Sequence, residues 1–286
     1  MFTIDNFVAG QVTDLKDVLI NTTPVVTPFS TLLLSKKVKA TAPEVSWIEE
    51  SINENSAKTI GEGGDAPNHE QDGAALLSNY LELFAATALV SNTAQASNAV
   101  GVSDLLAKDV AMKSQAIKLR MEEKFIHGVK SYTPATKTWT TAGILEQIHT
   151  DNRVTGTALT PVKFEEMLEK MYNAGTNMNM ICFLPARMKL EINGFAGVTF
   201  LAREKFLGFD ADYYDSPFGQ VSFVNTRKLT DSMFVVNPDY LEMPELIPFR
   251  ATNEAVSGSK KSVYLETQAG VKLLNQKAAA SFTITA

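Results

Sequence analysis

The sequence predicts an α+β fold whose outlying elements reach beyond the core they belong to. Three observations predict it. Residues 1 to 35 are apolar yet broken by Pro24 and Pro28, two β-prone arms flank a Gly-rich polar stretch, and one long amphipathic helix precedes alternating helix and strand patterns. With 286 residues, 45% hydrophobic and 20% charged, the chain can bury a substantial core, so disorder is not the default reading.

The opening segment, residues 1 to 35, reads as an extended arm holding at most a short helix around Asp14 to Ile20. It carries Phe7, Val8, Leu15, Val18, Leu19, Phe29 and Leu32 to Leu34 without a core of its own, so another part of the molecule or a neighbour must cover them. Next, Val45 to Glu49 and Tyr80 to Phe84 are rich in aromatic and β-prone residues and are expected to pair as a long hairpin. Between them, Ala57 to Gly73 is too polar and Gly-rich to pack alone, and a projecting hairpin is unstable in water unless something docks on it.

Ser103 to His127 is the clearest helix. Ser103 is the expected cap, Asp104 lies in the first turn where the helix dipole favours a carboxylate, and Gly128 supplies a stop. Val102, Leu106, Val110, Ile117, Met121 and Phe125 form one stripe, and Leu105, Met112, Leu119 and Ile126 a second, which predicts a broad buried face. At roughly 1.5 Å per residue the helix is about 40 Å long, a structural beam.

A compact α/β region follows. Thr160 caps a helix with Pro161 at its first position, Phe164, Met167, Leu168 and Met171 on one face, and Gly175 at its end. Met180 to Leu184 reads as a buried strand, Pro185 to Ile192 as a helix closed by Asn193-Gly194, and Val221 to Val224 and Met233 to Val236 as further strands. At the C-terminus, Ser262 to Leu274 and Ala278 to Thr285 are β-prone on either side of a turn.

The residues that carry chemistry are sparse. A formal charge of −6 argues against holding nucleic acid by phosphate neutralisation, and the clusters Lys36, Lys37, Lys39 and Lys260, Lys261 read as solvated strand or loop ends. Gly61 to Asp65 lacks the Lys-Ser/Thr ending of a phosphate loop and carries carboxylates that would repel phosphate. His69, His127 and His149 have no ligand-spaced partners, so neither a metal site nor a cofactor is expected. The acid pairs Glu49-Glu50, Glu122-Glu123 and Glu165-Glu166 read as solvated charges, and the single Cys182 as a buried structural thiol. There is no secretory signal and no run of about 20 apolar residues, so no membrane role is expected. Nothing calls for an enzyme.

Several segments, in this order, resemble the major capsid protein family of tailed bacteriophages. They are Thr22 to Phe29 (TTPVVTPF), Ser91 to Ala96 (SNTAQA), Ile181 to Ala186 (ICFLPA), and the closing stretch from Glu266-Thr267 to Thr283. The resemblance covers nearly the whole chain and implies a Hong Kong 97-like fold: an N-terminal arm (1–35), an extended E-loop β-hairpin (36–90), a P-domain with the long spine helix (91–140), an A-domain (141–245), and a C-terminal return to the P-domain (246–286). It implies a virion structural protein, made in the host cytoplasm, that self-assembles into hexamers and pentamers of an icosahedral head. Packaged double-stranded DNA is then cargo without sequence-specific binding.

On that reading, Phe7, Pro28 and Phe29 in the arm and Trp47, Ile48, Tyr80 and Phe84 in the hairpin are the expected inter-subunit contacts, the alternative being that they pack within their own subunit. Separate scaffolding, portal and decoration proteins are expected partners; the absence of a long charged helical leader points to the separate scaffold. Some relatives crosslink subunits through a Lys-Asn bond assisted by a Glu; Lys58 lies in the hairpin, but no motif identifies the other two residues, and crosslinking is not expected. The rival readings are an encapsulin-type nanocompartment shell of the same fold and a soluble α/β enzyme with a pocket in its middle region.

Overall fold

A computed structural model describes residues 26–97, 104–195, 204–206, 209–255 and 258–285. The expected Asp14 to Ile20 helix and the expected contact Phe7 lie outside these residues. Helix α1 (Pro28–Leu34) opens with Pro at its first turn, where the missing N–H is not needed. Then come β1 (Lys37–Lys39), β2 (Glu44–Ser51), β3 (Gly73–Tyr80), β4 (Glu82–Ser91), α2 (Asn92–Ala96) and the long helix α3 (Leu105–His127). The hairpin β5 (Ser131–Thr133) and β6 (Thr138–Thr140) leads through α4 (Ile144–Gln147) and β7 (Arg153–Gly156) to α5 (Pro161–Asn173). After β8 (Met180–Leu184) and α6 (Ala186–Asn193) the chain runs as strands: β9 (Glu204–Phe206), β10 (Phe209–Ser216), β11 (Gly219–Asn225), β12 (Ser232–Val236), β13 (Leu241–Asn253), β14 (Lys260–Ala269), β15 (Lys272–Leu273) and β16 (Ala279–Ile284).

Two sheets organise these elements. One has the order β1-β13-β14-β4, with β15 on β13, and carries α3 against β4 and β14. The other is a mixed sheet ordered β7-β16-β12-β8-β11-β10-β9. Its central strand β8 is buried at all five positions, which explains its unbroken apolar sequence. Alternation sends Ile181 and Phe183 into a core shared with α1, α3 and the other sheet, while Met180, Cys182 and Leu184 face Phe164, Met167, Leu168 and Met171 of α5.

The end of the arm belongs to the first of these cores. Phe29 has 0% exposure and packs edge-on against Phe183 and Phe234, with ring centroids 5.3 Å away in each case. Pro28 is buried as well. For Pro28 and Phe29, named above as inter-subunit contacts or as packing within their own subunit, the structure shows the second: their own chain encloses them. Phe84 likewise packs within its own chain, buried against Phe125 of α3 with centroids 5.9 Å apart.

Three boundaries also differ from expectation. Val45 to Glu49 pairs with Ala75 to Asn79, not with Tyr80 to Phe84, because the chain leaves the hairpin at Leu81 and β4 joins β14. The projecting hairpin is thus narrower than 36–90. Asp104, not Ser103, caps α3 through a hydrogen bond from the Ala107 N–H, and the broad buried face exists only in the C-terminal half, since Met112 is exposed. Finally, 246–286 does not return to one place: β14 lies in the first sheet, but β16 inserts between β7 and β12 in the second.

Phe29→Ala should lower the unfolding free energy of the full chain by about 3–5 kcal/mol, the usual cost of emptying an aromatic core site. Urea unfolding measures it, and a loss below about 1 kcal/mol would remove α1 from the core.

Candidate functional site

The β2–β3 hairpin stands apart from both sheets, pairing only with itself in the order Glu44↔Tyr80 to Ser51↔Gly73. Its root is held by Asn79, 1% exposed. The Asn79 Nδ2 group donates to Thr141 Oγ1 (3.1 Å), Ala142 O (3.0 Å) and Val271 O (2.6 Å), so two N–H bonds serve three acceptors. Its Oδ1 accepts from the backbone N–H groups of Ala142 (2.8 Å) and Tyr80 (2.8 Å). Gln147 repeats the device, donating to Ala142 O (2.9 Å) and Val271 O (3.1 Å) and accepting from Leu273 N (3.0 Å).

Backbone approaches backbone closely here. A Cβ at Gly143 would lie 2.5 Å from Ile126 O, and one at Gly270 would lie 2.9 Å from Tyr80 O, so only glycine lets the end of α3, the 141–143 turn and the hairpin root meet. The β5–β6 hairpin adds an aromatic brace, with Trp139 edge-on to Tyr80 (4.8 Å) and stacked on Tyr132 (4.0 Å). Lys130 Nζ sits 4.4 Å over the Tyr80 ring and donates to Ser78 Oγ (2.6 Å). Tyr80, expected as an inter-subunit contact, is thus half-buried inside its own chain.

Beyond the root the hairpin is exposed. Ile48 and Leu76 are opposite in register, hence on the same face, and are 64% and 73% exposed. Trp47 points to the other face, half-buried, with Lys272 Nζ 5.5 Å above its ring, and its indole N–H has no acceptor among the described residues. At the tip Lys58 pairs with Glu70 (2.5 Å), and Asn53 Nδ2 donates to the same carboxylate (3.4 Å).

The arm is fastened by a residue that sequence reasoning assigned to solvent. Glu122 on α3 is buried, and its carboxylate accepts from the N–H groups of Phe29 (3.1 Å) and Ser30 (2.6 Å) at the open N-terminus of α1. Burial raises its pKa above the usual carboxylate range, with hydrogen bonds from Ser30 and Phe29 and the charge of Lys228 opposing the shift. No local pattern marked Glu122, because its partners lie more than 90 positions away.

Groups suited to catalysis do not converge. Cys182 is enclosed, and burial pushes its thiol pKa far upward. His127 Nε2 meets Lys228 O (2.7 Å), tying the end of α3 to a distant turn, and His149 Nδ1 accepts from Asp151 N (3.2 Å) in a local turn. Among the described residues no three His, Cys, Asp or Glu side chains form a metal cluster, and no helix is long and apolar enough to cross a membrane. A cleft of about 270 Å³ lies between α1, α3 and β13, not in the middle region; Leu34, Ile117, Met121 and Phe249 line it, and its Lys37 is paired with Glu245.

Known proteins share this architecture. A family model described as SU10 major capsid protein matches residues 3–286. No curated protein sequence matches significantly. Among solved structures, the capsid protein of Cyanophage A-1(L) is similar at TM-score 0.65 and 12% identity, covering 96% of this chain and 97% of that one. The capsid of an empty GTA particle gives TM-score 0.64 and 12% identity, covering 100% of both chains. The SrpI encapsulin of Synechococcus elongatus gives 0.63 and 12%, covering 97% of this chain and 94% of that one. The fold is Hong Kong 97-like.

Two outcomes follow from the geometry. Asn79→Ala should lower stability by about 2–4 kcal/mol, since it strands buried backbone groups, and should raise amide exchange across β3 first. Unchanged exchange at β3 would mean that Asn79 does not hold the root. For Glu122, the folded-state pKa lies above the unfolded one, so stability from this group falls as pH rises through the folded value. The stability of wild type relative to Glu122→Gln should therefore increase as pH is lowered from 7 toward the ordinary carboxylate range; a difference that is flat or shrinks by urea unfolding contradicts the assignment.

Proposed function

Because the chain belongs to the SU10 major capsid protein family, it is the major capsid protein of an icosahedral phage head, and we propose that its copies close into hexamers and pentamers by laying the β2–β3 hairpin across a neighbour. The observation that carries this is the exposed pair Ile48 and Leu76 on a hairpin whose root is rigid and whose outer face has no cover from its own chain. An apolar pair projected that far from the core is stabilised by burial against another copy. Of the expected hairpin residues Ile48 is assigned to that contact, joined by Leu76, whereas Trp47 lies on the opposite face.

In this reading the sheet containing β13, β14 and β4, with α3, is the peripheral domain, and the seven-stranded sheet is the axial domain. Many individually weak contacts, repeated around each subunit, hold the shell while single ones can still reverse. Double-stranded DNA is enclosed as cargo: a chain of net charge −6 suits a wall that does not trap phosphate. The protein has no catalytic role, is made and assembled in the host cytoplasm, and works with separate scaffolding, portal and decoration proteins. A cargo-filled compartment is the second reading, favoured by the encapsulin likeness, but that likeness extends to the fold alone.

Purified full chain at high concentration, viewed by negative-stain microscopy, should show rings, tubes or closed shells. Deleting residues 57–73 should abolish them while leaving the melting temperature within a few degrees. Particles that form normally without that segment would refute the hairpin role.

A further inference from the structure

The charge of this protein is partitioned. Between Glu44 and Gly73 there are eight acidic residues and one lysine, a net of −7 in a chain whose total is −6, so everything outside the hairpin sums to +1. That one lysine, Lys58, is already held by Glu70. Glu50 lies on the face of Ile48 and Leu76, and the exposed Ile52 and Glu54 follow it in the chain.

The complementary feature lies at the far end of β4 from the hairpin root. The last residues of β4 and the first turns of α3 frame an open groove lined by Leu89, Leu105 and Met112, with Leu89 and Met112 52% and 51% exposed. Lys108 lines one wall. Across the β4–β14 ladder, exposed Lys260 and Lys261 stand opposite Ser91 and Val90, which also line it. Of the acidic groups nearby, Glu254 shares the adjoining cleft with Lys260 and Lys261, Asp104 caps α3, and Asp109 accepts the Leu89 N–H at 3.0 Å. That last bond occupies the open edge of β4, so an incoming strand cannot extend the sheet there, and whatever binds must do so through side chains.

We propose that this lysine-flanked groove is the seat for the acidic hairpin of a second copy, with Ile48 and Leu76 over Leu89 and Met112 and with Glu50 and Glu54 facing Lys108, Lys260 and Lys261. The inference rests on the reading that the hairpin crosses onto a neighbour, and adds where it lands and what selects the landing. The apolar centre supplies burial, and the opposed charges fix register and reject misplacement onto another acidic hairpin. Because these charges are exposed, the contact weakens as salt rises above physiological strength.

The test is a charge exchange in the full chain. The pair Lys260→Glu and Lys261→Glu, and separately the pair Glu50→Lys and Glu54→Lys, should each raise the concentration for half-maximal assembly at least about tenfold, and the four together should recover most of that loss. All four substituted residues being exposed, melting temperatures should stay unchanged; where one pair lowers it, the neutral pair Lys260→Gln and Lys261→Gln should still weaken assembly, and less than the reversal. Assembly indifferent to these exchanges, or no recovery in the fourfold variant, overturns the proposed seat. If the 57–73 deletion abolishes assembly in the same assay, that failure concerns the seat alone; if the deletion assembles normally, the hairpin reading itself has failed.

Discussion

The structure depends on one buried amide. Asn79 joins three segments that are remote in sequence, the hairpin, the 141–142 turn and the strand end at Val271, through hydrogen bonds inside a site closed to water. A hairpin with a loose root would sweep a large volume, and every contact at its tip would have to repay that freedom. With the root locked, the tip is presented in one direction relative to both sheets. Gly143 and Gly270 let the backbones come close enough for the amide to reach them.

The same logic orders the arm. An isolated helix of seven residues is too short to persist in water. Here α1 is stabilised by Phe29 between Phe183 and Phe234, and by the Glu122 carboxylate on its first N–H groups. A buried carboxylate without a lysine in contact is tolerated because helix N–H donors replace part of its lost hydration, yet its raised pKa shows that the replacement is incomplete. The described end of the arm is thus core, not a free strap. Electrostatics separates the two outlying elements: the described end of the arm is held by a desolvated carboxylate of α3, while the hairpin keeps most of its carboxylates in water, where they are available to a partner.

Much of this was legible in advance. The 3.6-residue spacing in 161–171, the Thr160 cap with Pro161, and the continuous apolar strand Met180–Leu184 are local signals, and each element forms where its pattern lies. The polar, Gly-rich tip and the long helix were equally visible, as was the family resemblance in the order of the elements. Strand partners were not. Tyr80 to Phe84 looked like a hairpin arm because alternation marks a strand without naming its neighbour, and the ladder from β4 to β14 joins residues nearly 180 positions apart. Glu122 looked solvated for the same reason, since a charged residue beside another on a helix carries no sign of what will be packed against it.

By itself, then, the sequence determined the kinds of elements, their order, the family to which they belong and the acidic character of the hairpin, because propensity, periodicity and charge are properties of neighbouring residues. Only the tertiary structure decided which large apolar residues are core and which remain open to a neighbour: Phe29 and Phe84 are enclosed by their own chain, while Ile48 is left in solvent. Burial is set by what distant segments bring to the same place, and in this fold those segments are the strands β8 and β12, the helix α3 and the turn that Asn79 holds.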